Sequence, residues 1–453
     1  MDKDAYRVTG DRVLEPPVGW WERMKFLGPG LILTASIVGS GELIATTLLG
    51  AKAGFVAFWV IIVSCLVKVT VQVEFGKNAI YSGHSTMAAL NGLPGPKLGR
   101  ANWSIWLWLV LMLPKMLQVG AIVGAVAMLV HVVQPSVSTV VAVWPVALVA
   151  ALMVVGGGYR LIERSCVILI GLFTLFTLAS LVSIQFTDYA IHWSDVASGL
   201  TFKLPREVVP IAIGAFGITG IGGDEIMAYN YWLIEKGYAA HAGPAQDTEA
   251  WYQRARGWIR VMQIDALLSM AVYTVVTVVF YLLGAAVLHG APVLPEKDDQ
   301  LIAALSLMYT ESLGPWAADV FLAGAFVVLF STVLAALGAW TRMFPDAFGQ
   351  IGLLDFQDDR QRGRFIAVLA FVIPACWSLA FLYYRNPVSM VVIGGIATMA
   401  ILLIVAFAAV RFRYRELPAA LRPGRAYDAL FWLSVVSIVA VGVYSVVKSF
   451  GWA

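Results

Sequence analysis

The sequence predicts an all-α integral membrane protein built from two inverted halves, and three observations lead there. Only 13% of its residues are charged while 60% are hydrophobic. Eleven apolar stretches are long enough to cross a bilayer, and two of them, five spans apart, carry matching glycine-rich interruptions.

The first observation sets the solvent. A soluble domain carries about 25% charged residues, and a chain of 453 residues with 13% could not cover its own surface in water. A mean hydropathy of +0.80 agrees. Length alone would suggest two or three soluble domains, but one bilayer-embedded bundle absorbs the whole chain. Cys65, Cys166 and Cys376 sit in apolar runs with no ligand spacing, so neither a disulfide framework nor a zinc site is expected. Residues 1–25 mix charges and prolines without an apolar core, which predicts a tail and no cleaved signal peptide.

The second observation gives the spans. A crossing helix needs roughly 20 largely apolar residues. The stretches meeting this are 27–50, 55–77, 103–132, 139–157, 165–186, 208–233, 258–289, 315–343, 365–384, 387–410 and 428–449. With the N-terminus inside, 23 of the 31 lysines and arginines fall in cytoplasmic segments. The outside segments hold Lys52, Lys203, Arg206, Lys297, Arg385 and Lys448, and Lys68 and Lys115 lie within spans. That bias orients the protein N-terminus in and, with an odd number of spans, C-terminus out. Tryptophans near span ends, among them Trp20, Trp21, Trp193, Trp316 and Trp452, fit an interfacial belt. The expected location is the plasma membrane.

The third observation locates the site. Gly39-Ser40-Gly41-Glu42-Leu43-Ile44-Ala45 in span one parallels Gly222-Gly223-Asp224-Glu225-Ile226-Met227-Ala228 in span six. Interrupted helices at corresponding places in two inverted halves mark a transporter's midplane site, because freed backbone groups are tolerable only where they line a cavity. Glycines also serve close helix packing, and a single such motif would mean little. The expected substrate-binding residues are Gly39, Ser40, Gly41, Glu42, Gly222, Gly223, Asp224 and Glu225, with Met227, Tyr229 and Asn230 following on the same helix. Glu42, Asp224 and Glu225 are the candidate metal ligands.

Lys115 lies mid-span behind the kinking Pro114 and needs a carboxylate partner. Glu42, Asp224 and Glu225 are equal candidates for it. Lys115 and Gln118 are therefore the expected coupling or gating residues. Lys68, Glu74 and Asp265 are nearer span ends, where snorkelling or a cytoplasmic ion pair is the expectation.

Two segments resemble a known family. Gly28-Pro29-Gly30-Leu31, with Ala45-Thr46-Thr47-Leu48-Leu49-Gly50-Ala51-Lys52-Ala53-Gly54-Phe55 beyond the interruption, resembles the first helix of the Nramp metal-transporter family. Ile226-Met227-Ala228-Tyr229-Asn230-Tyr231-Trp232-Leu233 is similar to the segment bearing that family's Met-Pro-His motif. The resemblance covers about 26–412. It implies a LeuT-type fold, with inverted repeats of helices 1–5 and 6–10, helices 1 and 6 broken at midplane, and an eleventh helix. The domains are then a cytoplasmic tail 1–25, a transport core 26–412, and a linker with terminal helix 413–453.

The departures fall on the chemistry. The family's Asp-Pro-Gly-Asn stands here as Gly39-Ser40-Gly41-Glu42, and Met-Pro-His as Met227-Ala228-Tyr229. Lys115 and Gln118 replace acidic residues of helix three, and Ile396 stands for the helix-ten glutamine. An oxygen-rich site suits a harder, partly hydrated divalent ion better than a typical manganese or iron site.

The expected function is secondary transport of a cation, a divalent metal first, with proton coupling left open. The alternatives are a LeuT-type transporter of a small organic solute and a non-transporting sensor or partner subunit. No nucleophile–base pair, phosphate loop or cofactor fingerprint points to an enzyme. The expected partners are the substrate and the lipid bilayer, with no nucleic acid and no cofactor.

Overall fold

A computed structural model describes residues 4–290 and 298–449. Lys3, Lys297 and Trp452 lie outside the described residues, as do the side chains of Ser40, Arg160, Cys166 and Lys448. Among the described residues, nine helices are long and apolar enough to cross a membrane.

Span one begins with α1 (Pro29–Ile37), which Pro29 opens at a position where no amide is needed. The amides of Gly28 and Gly30 donate instead to the Asp265 carboxylate at 2.9 and 2.7 Å. The chain then winds as a π-helix, Val38–Thr46, before α2 (Thr47–Ala53). The expected break in span one thus takes the form of an over-wide helical turn, not an extended gap. The Thr46 and Thr47 hydroxyls donate to the Gly41 and Glu42 carbonyls, five residues back, at 3.0 and 3.3 Å. Gly54, at φ 58°, ends the span.

Span two is α3 (Phe58–Val67) and α4 (Val69–Ser82), separated by the single residue Lys68. Asn102 caps α5 (Trp103–Val133), its side chain accepting from Ser104 N at 3.1 Å. Spans four and five were expected as separate crossings. They form one continuous helix, α6 (Thr139–Ser183). After Pro145 no proline interrupts this stretch, and its Arg, Leu, Ile and Glu residues sustain a helix through the polar middle.

Span six is interrupted outright. After α7 (Val209–Ile218), Thr219 is extended, Gly220 has φ 66°, and α8 (Gly223–Lys236) starts afresh. Then follow α9 (Glu249–Leu283), α10 (Asp298–Leu313), α11 (Ala317–Ile351), α12 (Asp359–Tyr384), α13 (Pro387–Arg411) and α14 (Arg425–Ser449).

The two halves of span six rest on α13 through small residues. A side chain at Gly395 would stand 2.6 Å from Gly214 O, and one at Gly223 would stand 2.9 Å from Leu402 N. Such contacts replace the hydrophobic driving force that lipid does not supply. The terminal α14 is tied to α4 through buried charge. Arg413 bonds Asp428 at 2.7 Å and Glu74 at 3.4 Å, and Lys77 bonds Glu74 at 2.6 Å. Glu74 therefore has the ion pair expected of it, though the pair is buried.

Candidate functional site

The site is organised by the restart of span six. Asp224, in the first turn of α8, meets Lys115 of α5 at 2.9 Å. Lys115 Nζ also donates to Thr398 Oγ1 of α13 at 2.7 Å, and that hydroxyl donates to Gly394 O at 2.9 Å. Lys115 and Asp224 are 1% and 5% exposed, so the pair joins α5, α8 and α13 away from water. The sequence left three partners open for Lys115; the geometry selects Asp224. Gln118, one turn on, packs against Gly394.

Glu225 lies beside Asp224, in the same first turn of α8. With Asp224, Ala228 and Trp232 it borders a cavity closed by Leu33 and Ser36 of α1 and by Ala335, Ala336, Ala339 and Trp340 of α11. Its volume is ≈ 10 Å³, the space one water-sized particle needs. The Glu225 Oε2 atom is buried without a protein partner. On the side nearer the N-terminal tail, Arg342 stands over the Trp232 ring at 5.4 Å and pairs with Glu235 at 2.9 Å. Tyr6 of the tail donates to the same Glu235 carboxylate at 2.8 Å.

Glu42 is not part of this cavity. Its Oε1 accepts from Thr277 Oγ1 of α9 at 2.7 Å and from Gly220 N at 3.4 Å. The expectation that Glu42, Asp224 and Glu225 form one ligand cluster is corrected: among the described residues, no three His, Cys, Asp or Glu side chains could hold a metal together. The π-helical winding carries Glu42 toward α9, and Asp224 is taken up by Lys115.

Met227, Tyr229 and Asn230 do not line the cavity, contrary to expectation. Residues 225, 228 and 232 share one stripe of α8 by helical period, leaving the others on different faces. Tyr229 donates to Asp265 at 2.9 Å, Asn230 donates to His84 O at 3.0 Å, and the Met227 carbonyl accepts from Thr86 at 2.8 Å. Met227 itself is fully buried.

The glycines have packing reasons. A side chain at Gly39 would overlap Thr332, whose hydroxyl donates to Ala35 O at 2.8 Å. One at Gly41 would stand 2.9 Å from Ile218 O, and one at Gly222 would overlap the Glu225 carboxylate. Gly39 and Gly41 thus let α11 and the end of α7 close on the π-helix, while Gly222 leaves room for Glu225.

Sequence reasoning missed the roles of five participants. Lys68 and Ser64 bond the free carbonyls that end α7. Asp265, expected to find a cation, caps the start of α1 instead. Thr277 and Thr398 hold Glu42 and Lys115. Only Lys68 had a usable signal: a broken helix exposes carbonyls that require donors, and a lysine within an apolar span can supply one.

Known proteins resemble this chain in sequence and in fold. The profile of the family described as "Natural resistance-associated macrophage protein-like" matches residues 30–448. A protein named divalent metal cation transporter MntH, from Acidiphilium cryptum, is 24% identical, covering 79% of this chain and 75% of its own. The crystal structure of the Eremococcus coleocola manganese transporter superposes with a TM-score of 0.65 at 16% identity, covering 96% of this chain and 90% of that one. MhsT in complex with L-phenylalanine superposes with a TM-score of 0.56 at 15% identity, covering 92% and 98%. The fold is of the LeuT type.

Proposed function

Because the chain belongs to the Nramp family, and is therefore a multi-pass membrane transporter and not an enzyme, we propose that its cargo is a divalent metal cation taken up at Glu225. The observation carrying this reading is the unpartnered, buried Glu225 oxygen facing a cavity of ≈ 10 Å³. A carboxylate in that setting calls for a cation, and Lys115 already neutralises Asp224. Pockets for small organic molecules run to about 300 Å³ or more, so the space favours an ion over an organic solute.

The donor set favours a hard ion. Glu225 and Ser36 offer oxygen, and Met227, the one sulfur candidate, is not among the lining residues. Oxygen donors suit Mg²⁺ or Mn²⁺ better than softer metals. Lys115 acts as a gate: its bonds to Asp224 and Thr398 clamp α8 and α13 to α5 when the site is closed, and Gln118 keeps the spacing at Gly394.

The charge bias of the N-terminal segments supports a plasma-membrane protein with a cytoplasmic N-terminus. Residues 26–412 form the transport core and 413–453 a terminal addition.

Proteoliposome flux tests the reading. The purified protein should carry Mn²⁺, Mg²⁺ or Ca²⁺, and Glu225→Gln should lose at least tenfold of that flux, the order expected when one charged contact worth about 1.5–3 kcal/mol is removed. Full flux in Glu225→Gln would refute the site. Flux of amino acids with no divalent ion carried would refute the cargo, and no flux of either would leave a sensor.

A further inference from the structure

The interruption of span six has a second polar centre, at the end of its first half. The helix α7 ends at Ile218, and its last carbonyls have no intrahelical partners. This end is buried, with Thr219 fully and Phe216 almost fully enclosed, so water does not satisfy them.

The donors come from span two. Lys68 Nζ donates to Phe216 O and, at 2.8 Å, to Thr219 O. Ser64 Oγ lies 3.0 and 2.9 Å from the same two carbonyls and accepts from Thr219 Oγ1 at 2.9 Å. A hydroxyl has a single proton and can serve one carbonyl at a time; the ammonium, with three, is the main donor. Its charge also lies 4.8 Å from the centre of the Phe216 ring, a cation–π contact.

Lys68 is fully buried, and its hydrogen bonds go to carbonyls, not to a carboxylate. The compensating field comes from the negative end of α7 and from the nearby Glu42 and Glu225 carboxylates. The geometry of span two is shaped for the task. One helix of span two ends and the next begins at Lys68 itself, and a side chain at Gly220 would stand 2.9 Å from the Cys65 Cα. The interrupted segment is thus gripped on both polarities: Lys68 takes its carbonyls, and Glu42 takes the Gly220 amide.

Carbonyl ends of interrupted helices are where transporters bind coupling cations, and backbone carbonyl oxygens are natural ligands of monovalent ions. We propose that the end of α7 is a monovalent-cation site whose permanent occupant is the protein's own Lys68 ammonium. The chain carries as a side chain the cation that would otherwise have to come from solution. Wild-type protein then needs no Na⁺ or K⁺ to hold α7 against span two. A variant without the ammonium opens a site for a small cation or a primary ammonium ion.

Thermal unfolding of the purified full-length protein in detergent tests this without reference to any cargo, so its outcome is separate from the transport reading. Wild type should melt at the same temperature in NaCl, KCl and choline chloride at matched ionic strength. Lys68→Ala should melt several degrees lower in choline, and n-propylammonium, ammonium or Na⁺ should recover most of the loss. Lys68→Met, which keeps the side-chain volume, should show the same dependence on a small cation. Three results would overturn the proposal: a wild type that responds to Na⁺ or K⁺ over choline, variants destabilised equally in every salt, or variants as stable in choline as wild type. Failure of both variants to accumulate, even when extracted in n-propylammonium, would overturn it too and leave Lys68 a purely structural residue.

Discussion

Lys115→Met is expected to destabilise the protein by an amount the structure sets. The substitution keeps the volume of the side chain and removes its charge, leaving the Asp224 carboxylate at 5% exposure without its 2.9 Å partner. Removing one member of a buried ion pair costs about 3–5 kcal/mol, mostly from the charge left behind. Loss of the hydrogen bond to Thr398 Oγ1 at 2.7 Å adds about 1 kcal/mol. Asp224→Asn alone should cost somewhat less, since the ammonium retains Thr398 and an amide oxygen. The double variant, with no buried charge left, should recover most of the loss, because neutral packing in place of a buried pair is often no worse than the pair. A double-mutant cycle by denaturant unfolding in micelles should therefore return a coupling energy of at least about 2 kcal/mol. Additivity within about 0.5 kcal/mol, the figure for independent sites, would show that the pair does not hold α5 to α8, and the proposed gate would fall with it.

The remaining predictions concern how the site is supported. Asp265→Ala removes the acceptor of the Gly28 and Gly30 amides and of Tyr229; with charged hydrogen bonds worth about 1.5–3 kcal/mol each, unfolding measurements should show a loss of at least about 3 kcal/mol, and Asp265→Asn a smaller one. Gly39→Ala drives a methyl into Thr332 and should cost about 1–3 kcal/mol as overpacking; adding Thr332→Ala should relieve it, and failure to do so would mean the glycine is needed for its backbone. Burial, with Arg12 nearby, pushes the pKa of His241 down to about 4 from its ordinary 6.5. The folded state thus disfavours the charged ring, so the contribution of the neutral ring is fully present above about 6.5 and is lost as pH falls toward 4. Melting curves of wild type should decline over that window, and His241→Phe should flatten the decline.

Much of the bundle was legible in the sequence. Counting charges and apolar runs identified a membrane protein, because a bilayer accepts only helices or closed barrels and leaves a helix few places to stop. Repetition of Gly39 to Ala45 in Gly222 to Ala228 identified the two unusual helices. What it could not foresee was that the two motifs would fold differently. Helix propensity cannot separate an over-wide turn from an outright gap; the choice is made by neighbours. Thr332 and Ile218 crowd Gly39 and Gly41 while the chain stays helical, whereas Gly220 adopts a positive φ against Cys65.

The same reason explains the carboxylates. By sequence alone Glu42, Asp224 and Glu225 look alike: each lies within two residues of a glycine in an interrupted span. Their fates diverge through partners far away in the chain: Thr277 takes Glu42, Lys115 takes Asp224, and Glu225 faces the cavity. The long helix Thr139–Ser183, read from the sequence as two spans, is a miss of the same kind, since polar residues at 160–164 suggest a loop but do not break a helix. Thus the sequence by itself determined the solvent, the class of fold and the place where the helices fail, all properties of local pattern. Only the tertiary structure decided which charges meet, because a buried ionisable group is placed by whichever distant helix brings it a partner.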